Sequence, residues 1–212
     1  YNEKGQIERG RDQNGIIYFT DAYDSAGRVI SQKDAIADST ETVIRYDDTT
    51  DPDYLLVSVT DRTMHTTVYK YNDQKQLVSK TDPNGVETKY AYDSHGNLTK
   101  KTDGLGNSVV NVYDTRDNLI SSTDKLGNKT EYTYDAKNNL TKIKYPGGGT
   151  VTKTYNSKNL LVSSTDLRGV TTTYTYNAQN LLTKVSYASR TVTYAYIKGQ
   201  PTTVTDPMGR TT

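Results

Sequence analysis

Cysteine and tryptophan are absent from the 212 residues, and phenylalanine occurs once. Without cysteine there is no disulfide and no thiolate chemistry, an absence that is neutral on export. Hydrophobic residues make up only 33% of the chain. Leu, Ile and Val are too sparse for a thick, two-sided core. No apolar run reaches membrane-spanning length, and no signal-peptide pattern is present, so the chain carries no membrane insertion of its own. Charge of one sign is also missing. With 26 Lys and Arg against 25 Asp and Glu, there is no electrostatic case for nucleic acid or an anionic membrane as partner. Helix start and stop signals are lacking throughout.

What the chain has instead is tyrosine, 19 residues of it, together with abundant threonine. Aromatic and β-branched side chains fit a pleated, half-buried surface and argue for strands. Even spacing of the aromatics and a net charge of only +1 set disorder aside. The spacing is a ruler. Tyr71, Tyr92, Tyr113, Tyr134, Tyr155 and Tyr176 stand 21 apart, and Tyr196 follows at 20. Tyr1, Tyr23 and Tyr46 continue the series upstream with spacings of 22, 23 and 25. Six residues after the anchor comes an aliphatic: Leu77, Leu98, Leu119, Leu140, Leu161 and Leu182, with Ile7 and Val29 in the early copies. Two residues before it stands a second aromatic at Tyr69, Tyr90, Tyr132, Tyr174 and Tyr194.

Turn signals keep the same period. One series is Asp82-x-x-Gly85, Asp103-x-x-Gly106, Asp124-x-x-Gly127, Asp166-x-x-Gly169 and Asp206-x-x-Gly209, with Tyr145-Pro146-Gly147-Gly148 as a variant. The other follows the anchors: Asp93-x-x-Gly96, Asp114-x-x-Asp117, Asp135-x-x-Asn138, Asn156-x-x-Asn159 and Asn177-x-x-Asn180. Asp or Asn opens a type I turn by bonding the backbone ahead of it, and the fourth residue enters the left-handed region at least cost. Each repeat therefore reads strand, turn, strand, turn, and the fold class is all-β: one long antiparallel meander of hairpins. A sheet of about 20 strands must twist, which predicts a spiral or hollow shell.

Register adds a demand. A three-residue loop at Asp93–Gly96 places Tyr92 opposite Leu98 on one face. Because 21 is odd and side chains alternate faces, a constant tyrosine face needs one parity shift per repeat, an even loop or a β-bulge. The shift is expected at the Asp-x-x-Gly turn that precedes the tyrosine strand.

Two segments break the ruler, Ser31 to Thr42 and the turn lengthened at Asp47-Asp48-Thr49-Thr50-Asp51-Pro52-Asp53. The array thus divides into irregular repeats over 1–59 and regular ones over 60–212, and it opens and closes inside a repeat, as a piece of a longer array would. The carboxylates Asp47, Asp48, Asp51 and Asp53 fit a solvated loop better than a calcium site, since the spacing is not that of an EF-hand. Gly147-Gly148-Gly149 lacks the aspartate of a calcium β-roll. His65 and His95 have no third ligand in sight. No nucleophile elbow, metal motif or phosphate-cradling glycine loop occurs, so no catalytic, cofactor-binding or metal residue is assigned and an enzyme is not expected.

At Tyr92-Asp93-Ser94-His95-Gly96-Asn97-Leu98 and Thr81-Asp82-Pro83-Asn84-Gly85 the chain resembles the YD-repeat, or RHS-repeat, family. Tyr134-Asp135-Ala136-Lys137-Asn138-Asn139-Leu140 and Tyr23-Asp24-Ser25-Ala26-Gly27-Arg28-Val29 carry the same resemblance. It implies hairpins spiralling into a hollow shell. In bacterial members the shell encloses a C-terminal toxin domain of the same polypeptide, which makes secreted or cell-surface delivery the expectation. Asp206-Pro207-Met208-Gly209 resembles part of that family's proteolytic core segment, but the same Asp-Pro-x-Gly pattern stands at the ordinary turn Asp82-Pro83-Asn84-Gly85, so no protease is carried over. The alternative is a cell-wall or glycan-binding repeat module that stacks sugars on Tyr90 and Tyr132.

Overall fold

The computed structural model describes residues 1–14, 17–34, 41–47, 53–188 and 190–212. The Asp48–Pro52 part of the acidic insertion, and residues 35–40 of the long Ser31–Thr42 segment, lie outside the described residues. The chain forms two compact units, Tyr1–Ser108 and Val109–Thr212. Among the described residues there are nineteen strands and no helix.

The first unit holds β1 (Arg9–Arg11), β2 (Ile17–Tyr23), β3 (Val29–Asp34), β4 (Thr42–Asp47), β5 (Tyr54–Thr60), β6 (Thr66–Asn72), β7 (Leu77–Thr81), β8 (Glu87–Tyr92) and β9 (Leu98–Thr102). The second begins within β10 (Ser108–Tyr113). It continues through β11 (Leu119–Thr123), β12 (Lys129–Tyr134), β13 (Leu140–Lys144), β14 (Thr150–Tyr155), β15 (Leu161–Thr165), β16 (Thr171–Tyr176), β17 (Leu182–Tyr187), β18 (Arg190–Ile197) and β19 (Gln200–Thr205). Within each unit every strand pairs antiparallel with its neighbours in sequence, which is the expected meander.

The turns follow the expected chemistry. At Asp82 the backbone N–H bonds to Val86 O at 3.0 Å and Gly85 N–H to Asp82 O at 2.9 Å, closing a loop of three residues. The Asp82 carboxylate accepts from the N–H groups of Asn84 and Val86, both at 2.9 Å. The turn at Asp93 repeats this geometry with His95 and Asn97, and Asp206 with Met208 and Arg210. Asn156 and Asn177 do the same through their amide oxygens. The residue before the loop closes has positive φ: Gly85 at 81°, Asn138 at 64°, Asn159 at 62°. Met64 (66°) and Lys75 (62°) hold the same conformation without glycine's freedom.

Among the described residues no hydrophobic side chain is fully buried. The sheet has instead a half-buried face and an exposed one, seen in the strict alternation along β16, where Thr172, Tyr174 and Tyr176 are half-buried and Thr171, Thr173 and Thr175 exposed. Paired residues share a face. In the second unit Tyr132 pairs with Ile143 and Ile143 with Val151. Farther on, Tyr174 pairs with Val185, and Val185 with Val192. In the first, Tyr69 pairs with Lys80, and Lys80 with Thr88. Within each unit the anchor tyrosines therefore keep one face, as expected.

Tyr92 lies opposite Leu98, again as expected, but the parity shift is not where the sequence placed it. The β7–β8 register runs unbroken through Thr81 and Glu87, so the Asp82 turn contributes no shift. The shift is a β-bulge at the far end of the tyrosine strand, between Ala91 and Tyr92. Ala91 pairs with Lys100 and Tyr92 with Leu98, leaving Thr99 as the extra residue. The same break occurs at Tyr23, Tyr71, Tyr113, Tyr134, Tyr155, Tyr176 and Tyr196. The turn that precedes the strand and the turn that follows it are both three-residue loops, so only an inserted residue can restore parity. Parity arithmetic demanded the shift; it could not choose between the two turns.

The irregular repeat uses the other solution. β4 and β5 pair from Val43–Thr60 to Asp47–Leu56 without a bulge. That register leaves the eight residues 48–55 between the last pair, an even number. Near the end of the second unit Tyr187 pairs with Arg190, a two-residue loop that adds a second shift and lets the last spacing be even.

Candidate functional site

The bulge leaves a backbone group without a partner, and the next repeat supplies one. The β7–β8 pairing stops at Ser79–Lys89, two residues short of the bulged Leu77. The hydroxyl of Tyr92 donates to the Leu77 carbonyl at 3.0 Å. Tyr134 does this to Leu119 at 3.1 Å, Tyr155 to Leu140 at 3.1 Å, Tyr176 to Leu161 at 2.9 Å and Tyr196 to Leu182 at 2.8 Å. Tyr46 reaches Val29 at 3.1 Å and Tyr23 reaches Ile7 at 2.6 Å. Half-buried carbonyls left open are costly, so each such bond stabilises by about 0.5–1.5 kcal/mol. Burial raises the pKa of the Tyr92, Tyr134 and Tyr155 phenols, which keeps them as O–H donors.

Bulge and phenol are two parts of one device. Where the preceding pair has a bulge, the anchor that follows finds a carbonyl. Where β4 and β5 pair without one, β5 and β6 run in full register from Thr60–Thr66 to Tyr54–Asn72. Among the described residues the Tyr71 hydroxyl has no hydrogen-bond partner there.

The extra residue carries a signal the spacing did not use. It is Val78, Thr99, Ile120, Thr141, Val162 and Thr183 in successive copies, always β-branched. When it is threonine, its hydroxyl returns across the bulge: Thr99 to Ala91 O at 3.1 Å, Thr141 to Thr133 O at 3.0 Å and Thr183 to Thr175 O at 3.1 Å.

A second set of links runs along the edge of anchor turns. Asn118 donates to Asn138 Oδ1 at 3.0 Å and Asn139 to Asn159 Oδ1 at 3.2 Å. Arg116 bonds Asp135 O at 3.1 Å, Lys137 bonds Ser157 O at 2.7 Å and Lys158 bonds Asn180 Oδ1 at 2.9 Å. The Asn118 side-chain amide, with the backbone N–H groups of Asn118 and Arg116, pulls the Asp114 carboxyl down to about 2.

The residues weighed for chemistry stay apart. His65 sits in the Asp61 turn, with Nδ1 2.6 Å from Thr63 Oγ1, and His95 belongs to the Asp93 turn. Among the described residues no three His, Cys, Asp or Glu gather closely enough to hold a metal. Asp47 ends β4. Gly148 is the positive-φ residue of the Tyr145 turn. Tyr90 lies beneath the Lys101 ammonium, 5.9 Å from the ring centre, as Tyr69 does beneath Lys80 at 5.7 Å. Among the described residues no helix is long and apolar enough to cross a membrane.

Single-layer hairpin repeats joined by back-reaching phenols define a repeat-array protein. The RHS Repeat family model matches residues 71–108, 113–150 and 155–192, more than half of the chain, and the chain belongs to that family. No curated protein matches the sequence. Solved structures similar in fold include the TcdB2–TccC3–Cdc42 complex, at 14% identity and a TM-score of 0.66, over 94% of this chain and 13% of that one. TcdB2–TccC3 gives 15% identity and a TM-score of 0.66 over the same shares. A Photorhabdus luminescens Tc holotoxin pore carrying a TccC3 mutation gives 14% and 0.63, again with 94% and 13% covered. The chain thus spans about one eighth of the length of the proteins it resembles.

Proposed function

We propose that the chain is a stretch of non-catalytic wall in a β-shell that encloses a toxin domain of the same polypeptide, delivered outside the producing cell or at its surface. The carrying observation is that no hydrophobic side chain is fully buried among the described residues, although every strand is paired. Within each unit, a sheet that fully buries no hydrophobic side chain suits a partition better than a compact domain. Membership of the RHS Repeat family and fold similarity to the TcdB2–TccC3 structures support the same reading. Within the wall, residues 1–59 are the irregular stretch and 60–212 the regular one.

Limited proteolysis of the natural full-length protein tests this. The expected result is a segment outside the repeats that resists protease until the shell is opened by denaturant. Cleavage of every non-repeat segment at the rate seen in denaturant would overturn it. Cell fractionation tests the location in the same preparation.

A further inference from the structure

Among the described residues the Tyr71 hydroxyl reaches no carbonyl, and Tyr71 borders a cleft. Tyr71 lines an open hollow of about 580 Å³ in the first unit, together with Tyr46, Leu55, Val57, Asp73 and Lys75. Register explains the grouping: Val57 pairs with Tyr46, and Leu55 with Tyr71, so all four belong to the half-buried face. Asp73 and Lys75 come from the turn after β6, with Lys75 held at a φ of 62°. Burial, followed by the nearby Tyr69 and Tyr46, raises the Tyr71 pKa, so its phenol is a protonated donor. Neither Asp73 nor Lys75 enters an ion pair or side-chain hydrogen bond among the described residues. The volume falls within the range of ligand pockets, about 300–1,000 Å³.

Sister repeats show what this phenol bonds when it can. Seven anchors donate to a main-chain carbonyl. We infer that the cleft seats an extended peptide segment, whose carbonyl takes the Tyr71 hydroxyl and whose bulky apolar side chain rests on Leu55 and Val57. The Asp73 carboxylate accepts from a peptide N–H, and the Lys75 ammonium donates to a second carbonyl. Resting on the shell reading, the segment belongs to the enclosed chain. A peptide supplies all of these groups at once, whereas a sugar brings at most a single acetamido carbonyl and no bulky apolar side chain, and a charged small molecule leaves the apolar floor wet.

The probe is N-acetyl-phenylalanine amide, titrated into tyrosine-labelled protein and followed by NMR. Saturable shifts at Tyr71 and Tyr46 are expected. N-acetyl-glycine amide, which lacks the side chain, should bind at least several-fold more weakly. Tyr71→Phe removes the donor without removing a brace, so the protein stays folded, and loss of one hydrogen bond weakens binding by about five-fold. Tyr134→Phe, in the second unit, leaves probe affinity unchanged. Failure to saturate, an unchanged affinity in Tyr71→Phe, or shifts with methyl glucoside in place of the peptide probe would each overturn the inference. Protection from protease is read separately, so the shell can stand while the cleft fails.

Discussion

The hydroxyl of Tyr176 donates to the carbonyl of Leu161, 15 residues earlier, across 2.9 Å. Leu161 is the bulged partner of Tyr155, so one tyrosine creates the open carbonyl and its successor closes it. Tyr176→Phe should therefore lower stability by about 1 kcal/mol, read as a lower urea midpoint. Tyr71→Phe should leave that midpoint unchanged, because its hydroxyl closes nothing. Equal losses in the two variants would show that the bond is not the source of the effect.

Thr99 is expected to be indispensable as a position yet replaceable as a side chain. Thr99→Val keeps the β-branched shape and loses one hydroxyl bond to Ala91, a cost of about 0.5–1.5 kcal/mol. Deleting Thr99 removes the parity shift and turns the next tyrosine strand over. Circular dichroism and solubility should then report loss of the folded array, where Thr99→Val stays folded.

Met64 occupies a left-handed position at a φ of 66° with its side chain exposed. Met64→Gly should raise thermal stability by up to about 1 kcal/mol. The converse, Gly127→Val at a φ of 83°, should lower it by about 1–2 kcal/mol. Calorimetry on the pair decides whether conformational cost or side-chain contact governs these turns.

Acid should loosen the turns late. The Asp114 carboxyl is held at about 2, against about 3.9 in an unfolded chain. A depressed folded pKa contributes stability that is complete above the unfolded value, so the contribution fades as pH falls from about 4 through about 2. Unfolding midpoints at pH 5, 3 and 2 should decline over that interval. Asp114→Asn, which mimics the uncharged turns at Asn156 and Asn177, should flatten the decline in part.

Turn chemistry was legible because Asp, Asn and Gly at fixed offsets specify one backbone shape, and the Tyr92–Leu98 pair followed from loop length. The bulge site was not. An even loop and an inserted residue satisfy parity equally, and the structure uses the loop after Asp47 and the bulge almost everywhere else. The β-branched residue after each leucine was the available clue. The Tyr92–Leu77 bond was invisible for a different reason: its acceptor is a main-chain oxygen, which every residue possesses. The spacing showed that tyrosine recurs and gave no sign that the hydroxyl, as well as the ring, is needed.

Each hydroxyl that finds a carbonyl acts on the repeat before its own, so such a repeat is finished only when its successor arrives. That gives assembly a direction. A hairpin forms in about 1–10 μs, while synthesis proceeds at about 5–20 residues per second. A bulged repeat emerging from a ribosome therefore settles, still unsealed, long before the next tyrosine comes to close it. Growth proceeds by a ratchet of single hydrogen bonds, from the N-terminus towards the C-terminus, and mechanical opening from the C-terminal side would release those seals in the reverse order.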